Sequence, residues 1–362
     1  MPLFQPFRAI GYITDDTPFS VRRVGTETYV TVSVGRAWQI YNCAKLRLVF
    51  VGSELPKSIR ALASHRDRTF AAFGTDIAVF YRSHQVGTLK GHKAKIKLLL
   101  VFGEYLLSVD EARHVLLWPP LGQFQLPEGF NPTGVIHPDT YLNKVLFASE
   151  DGRMQLWNVN SRKLLYEFKG WGVGVTALVG SPALDTVAVG CSDGKVHVHN
   201  IRLDKPVVDF THAAAGAVTS LAFNSDRQPL LAVGGMGGAI SVWDLTNRRL
   251  HSIIPDAHDG RVAALSFLVN EPLLLSAGAD NSLKVVPWCH GVVWYVCLRL
   301  HSIIPDAHDG RVAALSFLVN GPLLLSAGAD SSLKAPTHGI VCLSSPRFLR
   351  SFPVNQPLLS GK

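Results

Sequence analysis

The sequence predicts an all-β fold, a β-propeller of about seven four-stranded blades, and three observations predict it. The first is a period. Short strand-like runs end in an aromatic residue or its substitute: Tyr41 in QIYN, Phe80 in AVFY, Trp118 in LLW, Trp157 in QLWN, His199 in VHVHN, Trp243 in SVWD and Val286 in KVV. The steps between these marks are 39, 38, 39, 42, 44 and 43 residues. One four-stranded propeller blade takes about 40 to 45 residues, so seven marks imply about seven blades. The second observation is a turn residue 6 positions before four of the marks, in Asp151-Gly152, Asp193-Gly194, Gly237-Gly238 and Asp280. Flanked by alternating apolar residues, each reads as a tight hairpin between antiparallel strands. The third is composition, because 362 residues with 47% hydrophobic types can bury a large core.

The elements follow in order. A propeller leaves no open sheet edge only if its last blade borrows a strand from the other terminus. The segment Arg8 to Thr14, RAIGYIT, precedes the first full blade and is the expected outer strand of the blade ending at Val286. Some blades carry an upstream His, as in Gly91-His92 before Trp118 and His258 before Asp280. In WD-repeat proteins this His, a strand Ser or Thr, the turn Asp and the Trp form a buried hydrogen-bonded tetrad. Here the tetrads read as incomplete. Blade three has His92, Ser108 and Trp118, with Ala112 at the expected place of the turn Asp; blade four has Asp151 and Trp157. Blade five has Asp193, with Trp171 in the His place and His199 in the Trp place, and blade six has Trp243. The blade ending at Val286 has His258, Ser276 and Asp280 without the Trp. The architecture should hold regardless, because stacked apolar sheet faces supply most of the stability and a tetrad adds a few hydrogen bonds of roughly 1 kcal/mol each.

The propeller is expected to occupy residues 1–286. Residues 249–284 reappear as 299–334 with only two differences, Glu271 against Gly321 and Asn281 against Ser331. Blade geometry does not require such identity, which reads as a recent segment duplication or a gene-model error. The expected division after the propeller is an irregular insert at 287–300, a near-identical duplicate of 251–284 at 301–334, and a poorly ordered tail at 335–362 with Pro and Ser punctuation. A closed seven-blade ring has no vacant place for the duplicate, which should lie outside the ring or displace the original. The insert's apolar stretch Val292 to Leu298 could compete for the ring's closing edge.

Lys plus Arg number 35 and Asp plus Glu 27, a net charge of +8 that favours acidic partners such as RNA. Five cysteines, an odd number without a C-x-x-C pair, suggest neither a disulfide framework nor a zinc site and fit a reducing compartment, cytosol or nucleus. Met1 to Asp16 lacks the apolar core of a signal peptide, and the run Ile96 to Phe102 is too short to span a bilayer. Gly190-Cys191-Ser192-Asp193-Gly194 matches the nucleophile elbow G-x-S-x-G, but that motif needs a following helix and KVHVHN alternates as a strand. The glycine-rich Gly234 to Gly238 is likewise followed by a strand, whereas phosphate loops open a helix. His197 and His199 share a strand face and could bind a metal, but His199 occupies the Trp place and reads as a packed core residue. His258-Asp259 could suggest acid-base work; the tetrad explains His258 without it. No catalytic residue, cofactor or metal is therefore expected. Loops entering each blade and hairpins joining its two middle strands emerge on one side of a propeller, and this sequence puts Lys93, Arg113, Arg153, Lys195 and Arg261 there, a candidate face for RNA or an acidic partner.

From His137 to Ile201 the sequence goes beyond a generic repeat, with the specific strings TYLNK and KGWGVGVTAL; FRAIGYITDDTPFSVR, GHKAKI and AGADNSLKV support it. Together these resemble the WD-repeat protein thirty-six family, the U three small nucleolar RNA-associated protein of the small-subunit processome, over about residues 3–286. Members of that family are much longer, with a second propeller and a C-terminal helical region, and the resemblance here covers the first propeller. The resemblance implies a nucleolar scaffold that assembles the U three particle on pre-ribosomal RNA for small-subunit rRNA processing, with processome proteins and small nucleolar or pre-ribosomal RNA as partners. The competing reading is a generic WD-repeat adaptor, such as a ubiquitin-ligase substrate receptor or a signalling scaffold. A third class, a hydrolase using Ser192, needs a base and an oxyanion hole.

Overall fold

A computed structural model of the chain describes residues 8–13, 17–43, 45, 47–119, 122–225, 229–268, 273–287, 312–317, 324–328 and 333–334. The chain divides into two compact units, Met1–Trp288 and Cys289–Lys362. The first unit consists of seven antiparallel sheets of four strands each. Six run through consecutive sequence, at 20–51, 59–90, 96–125, 132–168, 175–211 and 218–254. The seventh is assembled from Val262–Phe267, Leu273–Gly278, Ser282–Pro287 and the distant Arg8–Tyr12. We number these blades 1 to 7. Arg8 pairs with Val285 and Tyr12 with Ser282, so the N-terminal segment closes the ring as its sequence position suggests. Thr14, and with it the end of the RAIGYIT segment, lies outside the described residues, as do Val292 to Leu298, most of 287–300 and all of 335–362.

Period-two alternation explains why the second strand of most blades reads as a continuous apolar run. In Lys144–Ser149, Val145 and Phe147 pack toward blade 3 while Leu146 and Ala148 pack toward blade 5. Leu231 and Val233 likewise face blade 5, and Leu230 and Ala232 face blade 7. Successive side chains point to opposite faces of a strand, and here both faces are covered by neighbouring blades. The core is accordingly seven clusters, one at each blade boundary, the last joining Leu275, Leu283 and Val285 of blade 7 to Val30 and Val32 of blade 1.

The seven marks occupy one register position. Tyr41, Phe80, Trp118, Trp157, His199, Trp243 and Val286 pair with Val30, Thr69, Leu106, Val145, Val187, Leu231 and Leu274 of the adjacent second strand. In five blades the pairing with the outer strand slips just before the mark, as between Leu156 and Trp157. Such a bulge re-aims one side chain, and its recurrence shows why the mark tolerates different residue types but holds its spacing.

The second unit contains, among the described residues, the strands Val312–Phe317, Leu324–Gly328 and Leu333–Lys334. Val312 pairs with Gly328 and Leu315 with Ser326, reproducing Val262 with Gly278 and Leu265 with Ser276, including the slip after the first pair. The paired strand sequences are identical and so is their register, because the alternating apolar pattern fixes which residues face each other.

Candidate interaction face

The loops that enter the blades and the hairpins between middle strands are tied together on one side of the ring by backbone hydrogen bonds. The N–H groups of Glu111, Glu150, Ser192, Met236 and Ala279, all in hairpins, donate to carbonyls of Lys95, Asn131, Gly174, Ala217 and Arg261 in the entering loops, at 2.8–3.0 Å. The following loops donate back: His212 N–H to Gly194 and His258 N–H to Gly238, at 2.8 and 3.1 Å. This stitching requires close backbone approach. Gly170 has φ +70, and a Cβ there would lie 1.8 Å from the Gly152 carbonyl oxygen; a Cβ on Gly174 would lie 2.6 Å from that of Glu150. Gly170 and Gly174 of the KGWGVGV string are therefore contact positions between loop and hairpin, whereas Gly172, with φ +70, has open space where a Cβ would stand.

Buried side-chain networks lie beneath this side. In blade 3 the Trp118 indole N–H donates to Ser108 Oγ at 2.9 Å, Ser108 meets His92 Nε2 at 2.7 Å, and His92 Nδ1 meets Asp110 Oδ2 at 3.0 Å. The indole only donates, so the chain of donors runs from Trp118 through Ser108 and a His92 protonated on Nδ1 to the carboxylate. The tetrad is complete, which corrects its reading as incomplete. Ala112 does occupy the register position of Asp280, three residues past the last ladder pair. The carboxylate comes instead from Asp110, two residues earlier and 1% exposed, whose other oxygen accepts the His114 N–H. In blade 7, His258 bonds Ser276 and Asp280, both at 2.9 Å, and Lys284 reaches Asp280 at 2.9 Å from below the Val286 position.

The other networks replace the strand serine. Phe147 and Val233 stand where Ser108 stands in blade 3, and the residue two before the Trp takes the indole N–H: Gln155 for Trp157 at 2.9 Å and Ser241 for Trp243 at 3.2 Å. His212, which the spacing of marks did not bring out, enters blade 6 and bonds Ser241 at 2.8 Å. In blade 5 the His and Trp are exchanged. Trp171 stacks on His197 with centroids 4.6 Å apart and meets His199 edge-on at 5.6 Å. The two imidazoles bond different carboxylates, His197 to Asp209 and His199 to Asp204, so they do not converge as a metal pair. Among the described residues no group of three His, Cys, Asp or Glu is placed to hold a metal ion. Among the described residues neither Asp151 nor Asp193 hydrogen-bonds a His; each accepts the backbone N–H two residues on, at 3.1 Å, within its own turn.

Burial drives the imidazoles of His92, His212 and His258 below the usual His range, only partly countered at His92 and His258 by Asp110 and Asp280. Unfolding returns them to a pKa near 6.5, so below that value the unfolded chain binds more protons and stability falls as pH falls. Burial raises the Asp280 carboxyl, but hydrogen bonds from Lys284, Ser282 and His258 outweigh it and hold the group well below the carboxylate range; its contribution is lost only at much lower pH. The melting temperature should therefore be nearly constant from pH 8 to about 6.5 and decline between about 6.5 and 5. A flat profile to pH 5 would contradict neutral buried imidazoles.

The five predicted cations differ in surroundings. Arg153 is paired with Asp151 at 2.6 Å and Glu167 at 3.0 Å, and Lys195 with Asp193 at 3.3 Å, so their charge is largely compensated. Arg113 is half-buried with φ 67, and Arg261 is half-buried at the entrance to blade 7. Lys93 is exposed and lines a cleft with Lys57, Arg60 and Lys95, which sequence reasoning did not single out.

Seven stacked blades, strand exchange at the closure and His-Ser-Asp networks under a stitched loop side define a WD-repeat β-propeller. Residues 30–288 match the family description WDR36/Utp21 first beta-propeller, and the chain belongs to that family. It is 40% identical over 292 residues to WD repeat-containing protein 36 of Homo sapiens and 35% identical over 294 residues to the U3 small nucleolar RNA-associated protein 21 homolog of Schizosaccharomyces pombe. Each alignment covers 78% of this chain and 32% of the relative, so the chain spans about a third of the length of these relatives. Residues 299–335 separately match the WD domain, G-beta repeat. Among solved structures, a chain in the Crystal Structure of Mitotic Checkpoint Complex superposes with a TM-score of 0.68 at 17% identity, covering 78% of this chain and 91% of that one, a likeness of fold.

Proposed function

We propose that this chain is a non-catalytic scaffold in ribosome biogenesis, acting in the nucleolus within the small-subunit processome that forms on U3 small nucleolar RNA. The observation that carries this reading is the family match over residues 30–288, together with relatives named as U3 small nucleolar RNA-associated proteins. Its partners are processome proteins and small nucleolar or pre-ribosomal RNA, met on the loop side that carries Lys93, Arg113, Arg153, Lys195 and Arg261. The absence of catalysis is supported by the context of the one nucleophile motif. Ser192 sits in a hairpin followed by the strand Lys195–Asn200, and burial pushes the neighbouring Cys191 thiol up to about 12, which keeps it protonated. Affinity purification of the tagged full chain tests the proposal. Recovery of U3 RNA with processome proteins is expected; recovery of a cullin adaptor without U3 RNA would overturn it in favour of a ubiquitin-ligase receptor.

A further inference from the structure

We propose that the cleft between blades 2 and 3 on the loop side binds an extended acidic segment of a protein partner. The proposal rests on the scaffold reading above and names the partner chemistry at one place on its interaction side. Lys57, Arg60, Lys93 and Lys95 line an open depression of about 570 Å³. Lys57 comes from the loop entering blade 2, Arg60 from that blade's first strand, and Lys93 and Lys95 from the loop entering blade 3. Backbone hydrogen bonds hold these segments: Ile96 N–H donates to Gly74 and Glu111 N–H to Lys95, both at 2.8 Å. Gly74, with φ +59, lies against the Lys57 chain, where a Cβ would come 3.2 Å from both Lys57 Cδ and Nζ.

The cleft lysines are uncompensated, whereas several other loop-side cations are paired. Arg36 meets Glu54 at 2.9 Å, Lys97 meets Glu150 at 3.6 Å, and Arg153 and Lys195 have the carboxylates described above. In the cleft only Arg60 has such a partner, Glu111 at 3.5 Å; among the described residues no carboxylate lies within ion-pair distance of Lys57, Lys93 or Lys95. Three exposed ammonium groups gathered from two loops attract an anionic chain. The lining favours a polypeptide over RNA. Single-stranded nucleic acid is held by basic grooves in which aromatic rings stack on bases, and among the described residues no aromatic side chain lines this cleft.

The test is fluorescence anisotropy on the full chain, with a labelled peptide of alternating glutamate and glycine and, separately, an oligouridylate of equal length. The variant Lys57→Glu/Lys93→Glu/Lys95→Glu should weaken peptide binding at least about tenfold. The control Lys163→Glu/Lys205→Glu/Arg249→Glu, on exposed outer strands, should leave it within about twofold. Wild-type peptide affinity should fall as salt rises from about 50 to about 200 mM. Should the triple reversal lower the melting temperature, the Lys→Gln set at the same positions should still weaken binding several-fold. Equal weakening by both reversals, or absence of peptide binding, would overturn the proposal. Tighter binding of the oligouridylate, lost in the cleft variant, would overturn it in favour of an RNA site. Peptide binding intact in a chain that recovers no U3 RNA from cells would leave the cleft standing and count against the processome reading alone.

Discussion

Replacing Leu275 by alanine is expected to lower stability by about 2–5 kcal/mol, and the same change at Leu325, its counterpart in the duplicate, to leave the cooperative unfolding of the ring unchanged. Leu275 is fully buried between blades 7 and 1, and it pairs with Val285 across the sheet. The cost is the lost transfer of the side chain plus a cavity that two rigid sheets cannot collapse. The asymmetry follows from what comes after each copy. The first continues from Lys284 into Val285, Val286 and Pro287, whereas the second continues from Lys334 into Ala335 and Pro336. Val285 and Val286 are both 0% exposed, and Val286 fills the mark position opposite Leu274. Alanine and proline at those places would leave volume empty in the cores on both sides of blade 7. The proline would also remove an amide from a strand that has neighbours on both edges. Urea unfolding of the two variants of the full chain makes the comparison. Equal losses would mean that the two hairpins exchange in the ring, and a loss at Leu325 alone would mean that the duplicate had displaced the original.

The seven blades were legible because their signal is spacing, and in five of them a slip just before the mark accompanies that spacing. Closure by Arg8–Tyr12 was legible from a different argument, the cost of an open edge, which holds whatever the residues are. What spacing could not reach is substitution within the networks. Ala112 sits at the expected turn position, but nothing in its register says that a carboxylate two residues earlier bends back to His92. Gln155 and Ser241 take over the indole hydrogen bond from a different strand, and this depends on which side chain lies two residues before the Trp. His212 was open to the same reasoning as His92 and His258, since all three stand in the loop that enters their blade; it lacks both the preceding glycine of Gly91-His92 and a turn Asp such as Asp280, since Gly237-Gly238 stands there. The charge pattern was legible only as a list of cations. That Arg153 and Lys195 are compensated while Lys93 joins Lys57 and Lys95 depends on which carboxylates share their turns and which loops meet across a blade boundary.

Asp110→Ala is expected to destabilise the chain by about 1–3 kcal/mol, and Ala112→Asp introduced into that variant to restore part of the loss. The Asp110 side chain is inaccessible and accepts hydrogen bonds from His92 Nδ1 at 3.0 Å and the His114 N–H at 2.9 Å. Its removal leaves the buried His92 Nδ1–H and the half-buried His114 N–H without this acceptor, and an unmet buried donor costs more than the bond itself contributes. His92 still meets Ser108, so Trp118 and Ser108 stay in place and the loss is confined to one end of the network. Blade 7 shows that a carboxylate at the register position of residue 112 reaches the imidazole, since Asp280 meets His258 at 2.9 Å from there. The rescue is partial because the His114 N–H was satisfied from residue 110, and Ser282, the residue matching His114 by register, instead donates to Asp280 at 3.1 Å from a turn already shaped for it. Thermal unfolding of the single and double variants at pH 8, where the imidazoles are neutral in both states, isolates the hydrogen-bond effect from titration. A double variant no more stable than Asp110→Ala would mean that the backbone from Asp110 to His114 is fixed by something other than this carboxylate.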